Sequence, residues 1–187
     1  MSNSMNESRG WHIHVKPLFN KAVSMIRKLP PAMIYVETTI FSFYYETRTD
    51  PEIIAQRQWT QQWWNTRRSS YDIVTSVAVL DELDRGDYPH KAASLALARK
   101  VPSVPISDEV RDVVKVYIRH HVMPSNPAGD ALHLAIASCT GCNYLLTWNC
   151  QHLANANKFG HIQRVNAMIG LRIPYLVTPL ELMGVSQ

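Results

Sequence analysis

From Met33 onward, short apolar runs alternate with longer stretches in which apolar residues recur every three or four positions. Met33–Val36 is a compact run of the buried-strand kind, and residues 72–75, 104–106, 144–147 and 175–177 repeat the type. The spacing between them predicts helices. Asp50-Pro51 opens one that runs to about Arg68, with Asp50 as N-cap and Pro51 in the first turn. Others are expected over residues 77–85, 90–101, 128–140, 150–154 and 157–171, and one runs from a Ser107 cap to about Val122. Residues 123–127 read as a proline-bearing loop, and Pro179 begins a last turn. Strands separated by helices imply βαβ units, hence an α/β fold whose parallel sheet is covered on both faces.

Residues 1–32 read as an N-terminal extension ahead of a single domain over 33–187. Within it Pro17 opens a helical pattern, with Leu18, Phe19, Ala22, Val23, Ile26 and Leu29 as an apolar stripe bordered by Lys16, Lys21, Arg27 and Lys28. Pro30-Pro31 ends that amphipathic helix. A dimer arm, a basic surface helix and a non-essential extension all fit the pattern. There is no internal repeat and no linker to a second domain.

At 46% hydrophobic and 18% charged residues, the 187-residue chain has the balance of a globular protein. No apolar run is long enough for a bilayer and no signal-peptide core opens the sequence, so a cytoplasmic protein with no membrane partner is expected. The net charge of +4 suits a polyanionic partner without requiring one. Cys139 and Cys142 form a CxxC that Cys150 and His152 would extend to a zinc set on paper, but Cys139 falls inside a predicted helix and reads better as core.

Ligands of open parallel sheets bind beyond the carboxyl ends of the strands. After the first strand stand Glu37, Thr38 and Thr39, and after the strand at Tyr144 stand Trp148 and Asn149. Glu82 lies on the helix that follows the second strand. Asp130 shares a helix face with Leu134 and Ala137, so that side carries both an acid and core residues. It is either a helix cap or a carboxylate needing a partner or an ion. Taken together, Glu37, Glu82, Asp130 and Asn149 could reach one end of one sheet. Mg²⁺ or Mn²⁺ takes oxygen ligands of this kind and can activate water for displacement at phosphorus.

These segments resemble the four motifs of PIN domains. Residues 33–40 (Met33 to Ile40) resemble the opening strand with its acid and hydroxyl residue. Residues 76–83 resemble the second motif ending near its glutamate, and residues 129–135 the third. Leu145-Leu146-Thr147-Trp148-Asn149 resembles the fourth, a strand followed by Thr-x-Asp. The resemblance covers about residues 33–182. It implies an α/β/α sandwich around a parallel sheet. It also implies a Mg²⁺- or Mn²⁺-dependent ribonuclease held by Glu37, Glu82 and Asp130, with Asn149 as a weaker ligand and Thr38 and Thr147 as polar support. Many such proteins are the toxin of a toxin–antitoxin pair, so RNA, a cognate antitoxin and a second copy of the chain are the implied partners.

Two positions depart from the family pattern. Glu37 stands where the family usually has Asp, which shifts a bound ion by on the order of 1 Å. Asn149 replaces the fourth acid and supplies an oxygen without charge. One ion is therefore expected rather than two, and a PIN-like binding module without catalysis is the alternative. His133 and His152 are candidates for substrate contact or general acid, against a hydrogen-bonded or surface role. Trp59, Trp63, Trp64 and Tyr71, with Arg57, Arg67 and Arg68, read as core or dimer packing or as an RNA-stacking surface.

Overall fold

The computed structural model describes residues 30–123 and 129–184. The chain divides into Met1–Pro30 and Pro31–Gln187, and the helix expected within residues 1–32 lies outside the described residues. Strand β1 (Met33–Val36) has three of its four residues fully buried, as a central strand with both faces covered must. It leads into α1 (Thr38–Tyr44) and α2 (Pro51–Thr66). Then follow β2 (Asp72–Ser76), α3 (Val77–Arg85), α4 (Lys91–Ala98), β3 (Ser103–Val104), α5 (Asp108–Arg119), α6 (Asp130–Cys139), β4 (Tyr144–Leu146), α7 (Ala156–Met168) and β5 (Tyr175–Val177).

All five strands are parallel, in the order β3-β2-β1-β4-β5. Each crossover before β3 moves one way across the sheet, and those leading to β4 and β5 move the other way. Because such crossovers are right-handed, α1–α4 cover one face and α5–α7 the other. The second layer is tied internally: the Tyr117 hydroxyl of α5 donates to Asn166 Oδ1 of α7 at 2.6 Å and lies 3.2 Å from Ser138 Oγ of α6. The architecture is an α/β/α sandwich with a central parallel sheet, as the strand–helix alternation predicts. The direction of travel reverses between β1 and β4. A crevice opens at such a switch point, outside the carboxyl ends of the two strands.

The helix boundaries differ from the pattern in instructive ways. Helix α1 was not expected. Its Thr-Thr-Ile opening and aromatic residues are poor helix formers, but Glu37 caps it by accepting from the Thr39 amide at 3.1 Å. Asp50 occupies the N-cap of α2 without a side-chain cap bond, and Pro51 sits in the first turn. Ser107 caps α5 as expected, accepting from the Val110 amide at 3.3 Å. Residues 150–154 are a turn rather than a helix, held by the Leu153 and Ala154 amides donating to the Asn149 carbonyl.

Helices α5, α6 and α7 share one kind of ending, which stops α5 and α7 short of their expected ends. After α6 the Gly141 amide bonds to the Ser138 carbonyl and the Cys142 amide to the Ala137 carbonyl, at 3.1 and 2.9 Å, with Gly141 at φ 72°. This is a Schellman ending. Gly170 (φ 71°) with Leu171 ends α7 in the same way, and His121 (φ 54°) with Val122 ends α5. The CxxC is therefore a helix ending. Cys139 is the last helical residue and Cys142 the buried residue that anchors the turn. Burial pushes the Cys142 thiol up to about 12 and that of Cys139 to about 11. Among the described residues Cys139 and Cys142 gather with no third metal-ligating side chain, and Cys150 is exposed and free.

Candidate metal centre

The carboxyl end of β1 delivers Glu37 straight into the crevice, where its amide bonds to the Leu146 carbonyl of β4 at 3.1 Å. The side chain is only 5% exposed. Its Oε2 accepts from Thr39 Oγ1 at 2.6 Å, Thr147 Oγ1 at 2.8 Å and the Thr39 amide at 3.1 Å. Burial raises the Glu37 carboxyl above the ordinary glutamate range, partly offset by the charge of His133 and by the hydroxyls of Thr39 and Thr147.

Glu82 reaches the same place from the second turn of α3. Its Oε2 accepts from the Thr38 hydroxyl and lies 3.0 Å from His133 Nε2. Burial pushes this carboxyl up, but the hydrogen bond and charge of His133, with help from Thr38, outweigh it and hold Glu82 below the ordinary range. Burial likewise works against a charged His133, while Glu82, Glu37 and Asp130 together raise it above the usual imidazole value.

His133 comes from α6 and is 1% exposed. Its Nδ1 lies 2.8 Å from the Tyr35 hydroxyl, which lies 2.7 Å from Ser76 Oγ. Burial holds the Tyr35 phenol neutral, well above its usual value. A chain of four side chains, Ser76–Tyr35–His133–Glu82, therefore runs under the centre through β2, β1, α6 and α3. Both ring nitrogens of His133 are engaged within the protein. His133 thus braces Glu82 from a buried position.

Glu37, Glu82 and His133 form a triangle in which one ligand atom from each lies within 4.8 Å of the others. Asp130 stands outside it. It is the first residue of α6, after Gly129 at the N-cap, and its Oδ1 accepts from Asn149 Nδ2 at 2.7 Å. Asn149 Oδ1 accepts from the His152 amide at 3.0 Å, and the Asn149 amide bonds to Thr147 Oγ1 at 2.8 Å. In this arrangement Asn149 braces Asp130 and closes its own turn. His152 lies on the half-buried rim with Nδ1 3.2 Å from Lys158 Nζ.

The structure thus brings Glu37, Glu82, Thr38 and Thr147 together as expected. It sets Asp130 and Asn149 beside them as a bonded pair and leaves His152 further out. Tyr35 and Ser76 are members that the sequence reading missed. An apolar strand interrupted by a tyrosine was the available signal, because a buried phenol requires a partner.

The two carboxylates, Glu37 and Glu82, fit a hard divalent ion, with His133 orienting Glu82 from behind. The cluster also gains from charge neutralisation, since two carboxylates are held this close in a largely buried site. No family model, no curated protein and no solved structure matches the chain.

Proposed function

We propose that the protein is a metal-dependent ribonuclease of the PIN type. The observation that carries this reading is the convergence of Glu37 and Glu82 with His133 at the switch point between β1 and β4. A divalent ion there, Mg²⁺ or Mn²⁺, would supply Lewis acidity and a bound water ready to lose a proton. Glu37 and Glu82 would hold it. Thr39 and Thr147 fix the first carboxylate, and Thr38 and His133 fix the second. Asp130, held by Asn149, adds negative charge at the edge of the centre and is placed to hold ion-bound water. Lys158 beside His152 offers a cation for a phosphate on the rim. A cytoplasmic toxin with a cognate antitoxin and a homodimeric state complete the reading. The toxin role, the antitoxin and the homodimer rest on the motif resemblance.

Calorimetric titration of Mn²⁺ tests the centre. The expected result is about one ion per chain for the wild type. Affinity should fall at least tenfold in Glu82→Gln, and cleavage of a single-stranded RNA should fall by about a hundredfold or more in the same variant. A wild type that takes no Mn²⁺ at millimolar concentration sinks the nuclease reading.

One observation favours a second reading, a PIN-like module that binds without cleaving. The carboxylates already have partners: Glu37 Oε2 accepts three hydrogen bonds and Glu82 pairs with His133. The same titration separates the two readings.

A further inference from the structure

Three aromatic rings gather beside the Glu37 side of the centre. Trp148 follows Thr147 directly after β4, Phe43 belongs to α1 and Trp59 to α2. The Trp59 and Trp148 rings stack with centroids 6.1 Å apart and planes at 27°, and Phe43 lies 6.2 Å from Trp148. All three are half-buried. Trp148 touches the margin of the core, whereas Phe43 and Trp59 lie outside it. Trp63 and Trp64 of the same helix show the contrast, at 0% and 7% exposed within the core.

The cluster is fixed in place. Trp148 Nε1 donates to Thr60 Oγ1 at 2.7 Å, so the indole is pinned at its polar edge. The Trp148 amide donates to Thr39 Oγ1 at 2.8 Å, and that hydroxyl donates to Glu37 Oε2 at 2.6 Å. Two hydrogen bonds therefore connect the aromatic rim to a carboxylate of the candidate metal centre. The indole N–H is consumed internally, which leaves ring surface rather than polar edge as what Trp148 offers a ligand.

We infer that Phe43, Trp59 and Trp148 form a stacking subsite for an unpaired nucleobase of the RNA strand whose phosphate lies at Glu37, Glu82 and His133. The inference rests on the ribonuclease reading above. Ring surfaces take any base by its face, and a base inside a duplex has both faces covered. The subsite therefore selects single strands without reading sequence. The net charge of +4 adds long-range attraction to the same polyanion.

The test uses the full-length chain in EDTA, which stops cleavage. Its probes are a fluorescein-labelled mixed-sequence oligoribonucleotide and the same strand annealed to its complement, followed by anisotropy. Trp59→Leu and Trp59→Phe both keep apolar bulk, and thermal melting verifies that each folds. Trp59→Leu should weaken single-strand binding roughly tenfold with little change for the duplex, and Trp59→Phe should retain most of the affinity. Wild-type affinity for the single strand in Trp59→Leu overturns the proposal. So does equal weakening for strand and duplex, or a wild type that binds neither. A Trp59→Leu variant that changes only its sedimentation, with strand binding intact, overturns it in favour of a self-association face.

Mn²⁺ calorimetry and cleavage on the same samples keep the two ideas apart. Cleavage with an unchanged KM in Trp59→Leu defeats the subsite and leaves the nuclease standing. Strand binding through Trp59 without metal uptake or cleavage does the reverse.

Discussion

A buried imidazole between a phenol and a carboxylate has little freedom. His133 is either neutral, taking the Tyr35 proton at Nδ1 and giving its own to Glu82, or charged and donating at both nitrogens. Tyr35→Phe leaves Ser76 Oγ and His133 Nδ1 without their shared partner. It should cost about 1–3 kcal/mol, measured as a lower urea midpoint at unchanged m-value. The pair also has a pH signature. His133 is raised from its ordinary 6.5, so its contribution is complete below that value and is lost as pH rises through the folded pKa. Glu82 is lowered from 4.5, so its contribution is complete above that value and is lost as pH falls through the folded pKa. His133→Asn should therefore destabilise most between pH 4.5 and 6.5 and progressively less in more alkaline buffer, as read by urea unfolding across that range. Glu37 and Glu82 were legible in the sequence because each follows a strand closely. The role of His133 was not, because its partners lie 51 and 98 positions away and only the packing of α6 on the sheet decides which nitrogen meets which group.

At the level of elements, the sequence pattern found every strand, and it extended α5 and α7 too far because a Schellman ending carries its own apolar anchor. Val122, Cys142 and Leu171 each follow the left-handed residue, and the first two are buried. Val122 and Leu171 fit the apolar period of the preceding helix, so periodicity runs past the point where the backbone has already turned. Gly141 and Gly170 hold the left-handed position at no steric cost, whereas His121 does so with a side chain. His121→Gly should stabilise the protein by about 0.5–1 kcal/mol after the extra freedom of the unfolded chain is counted, seen as a rise in thermal midpoint. Ser107→Ala removes the cap of α5 and should cost about 1 kcal/mol by the same measurement. Neither variant should alter Mn²⁺ affinity, since neither residue touches the centre. Helix α1 escaped the pattern because its seven residues follow a glutamate cap and begin with two threonines, and only the hydrogen bonds made by Glu37 and Thr39 reveal why it starts there.

The whole molecule places its chemistry by topology. Helices α1 and α3 begin immediately after β1 and β2, α6 begins at Asp130, and the Thr39 amide at the start of α1 donates to Glu37. That bond favours the ionised form of Glu37 but only partly offsets burial, which raises its carboxyl. Among the described residues no helix is long and apolar enough to cross a membrane. If an ion binds at the centre, linkage must stabilise the fold. Mn²⁺ at about a hundred times its dissociation constant should raise the thermal midpoint by roughly 5–10 °C, and Glu82→Gln should abolish most of the rise. An unchanged midpoint in the wild type would contradict occupancy of the centre.

Glu37 holds the first turn of α1 and joins the two loops at the crevice whether or not an ion is ever bound. Natural selection for folding alone is then enough to preserve it. In a lineage held only by the need to fold, Asp130, whose described side-chain bond is to Asn149, would erode first and Glu37 last. A descendant that keeps Glu37 but has lost Asp130 would keep the crevice for its architecture alone.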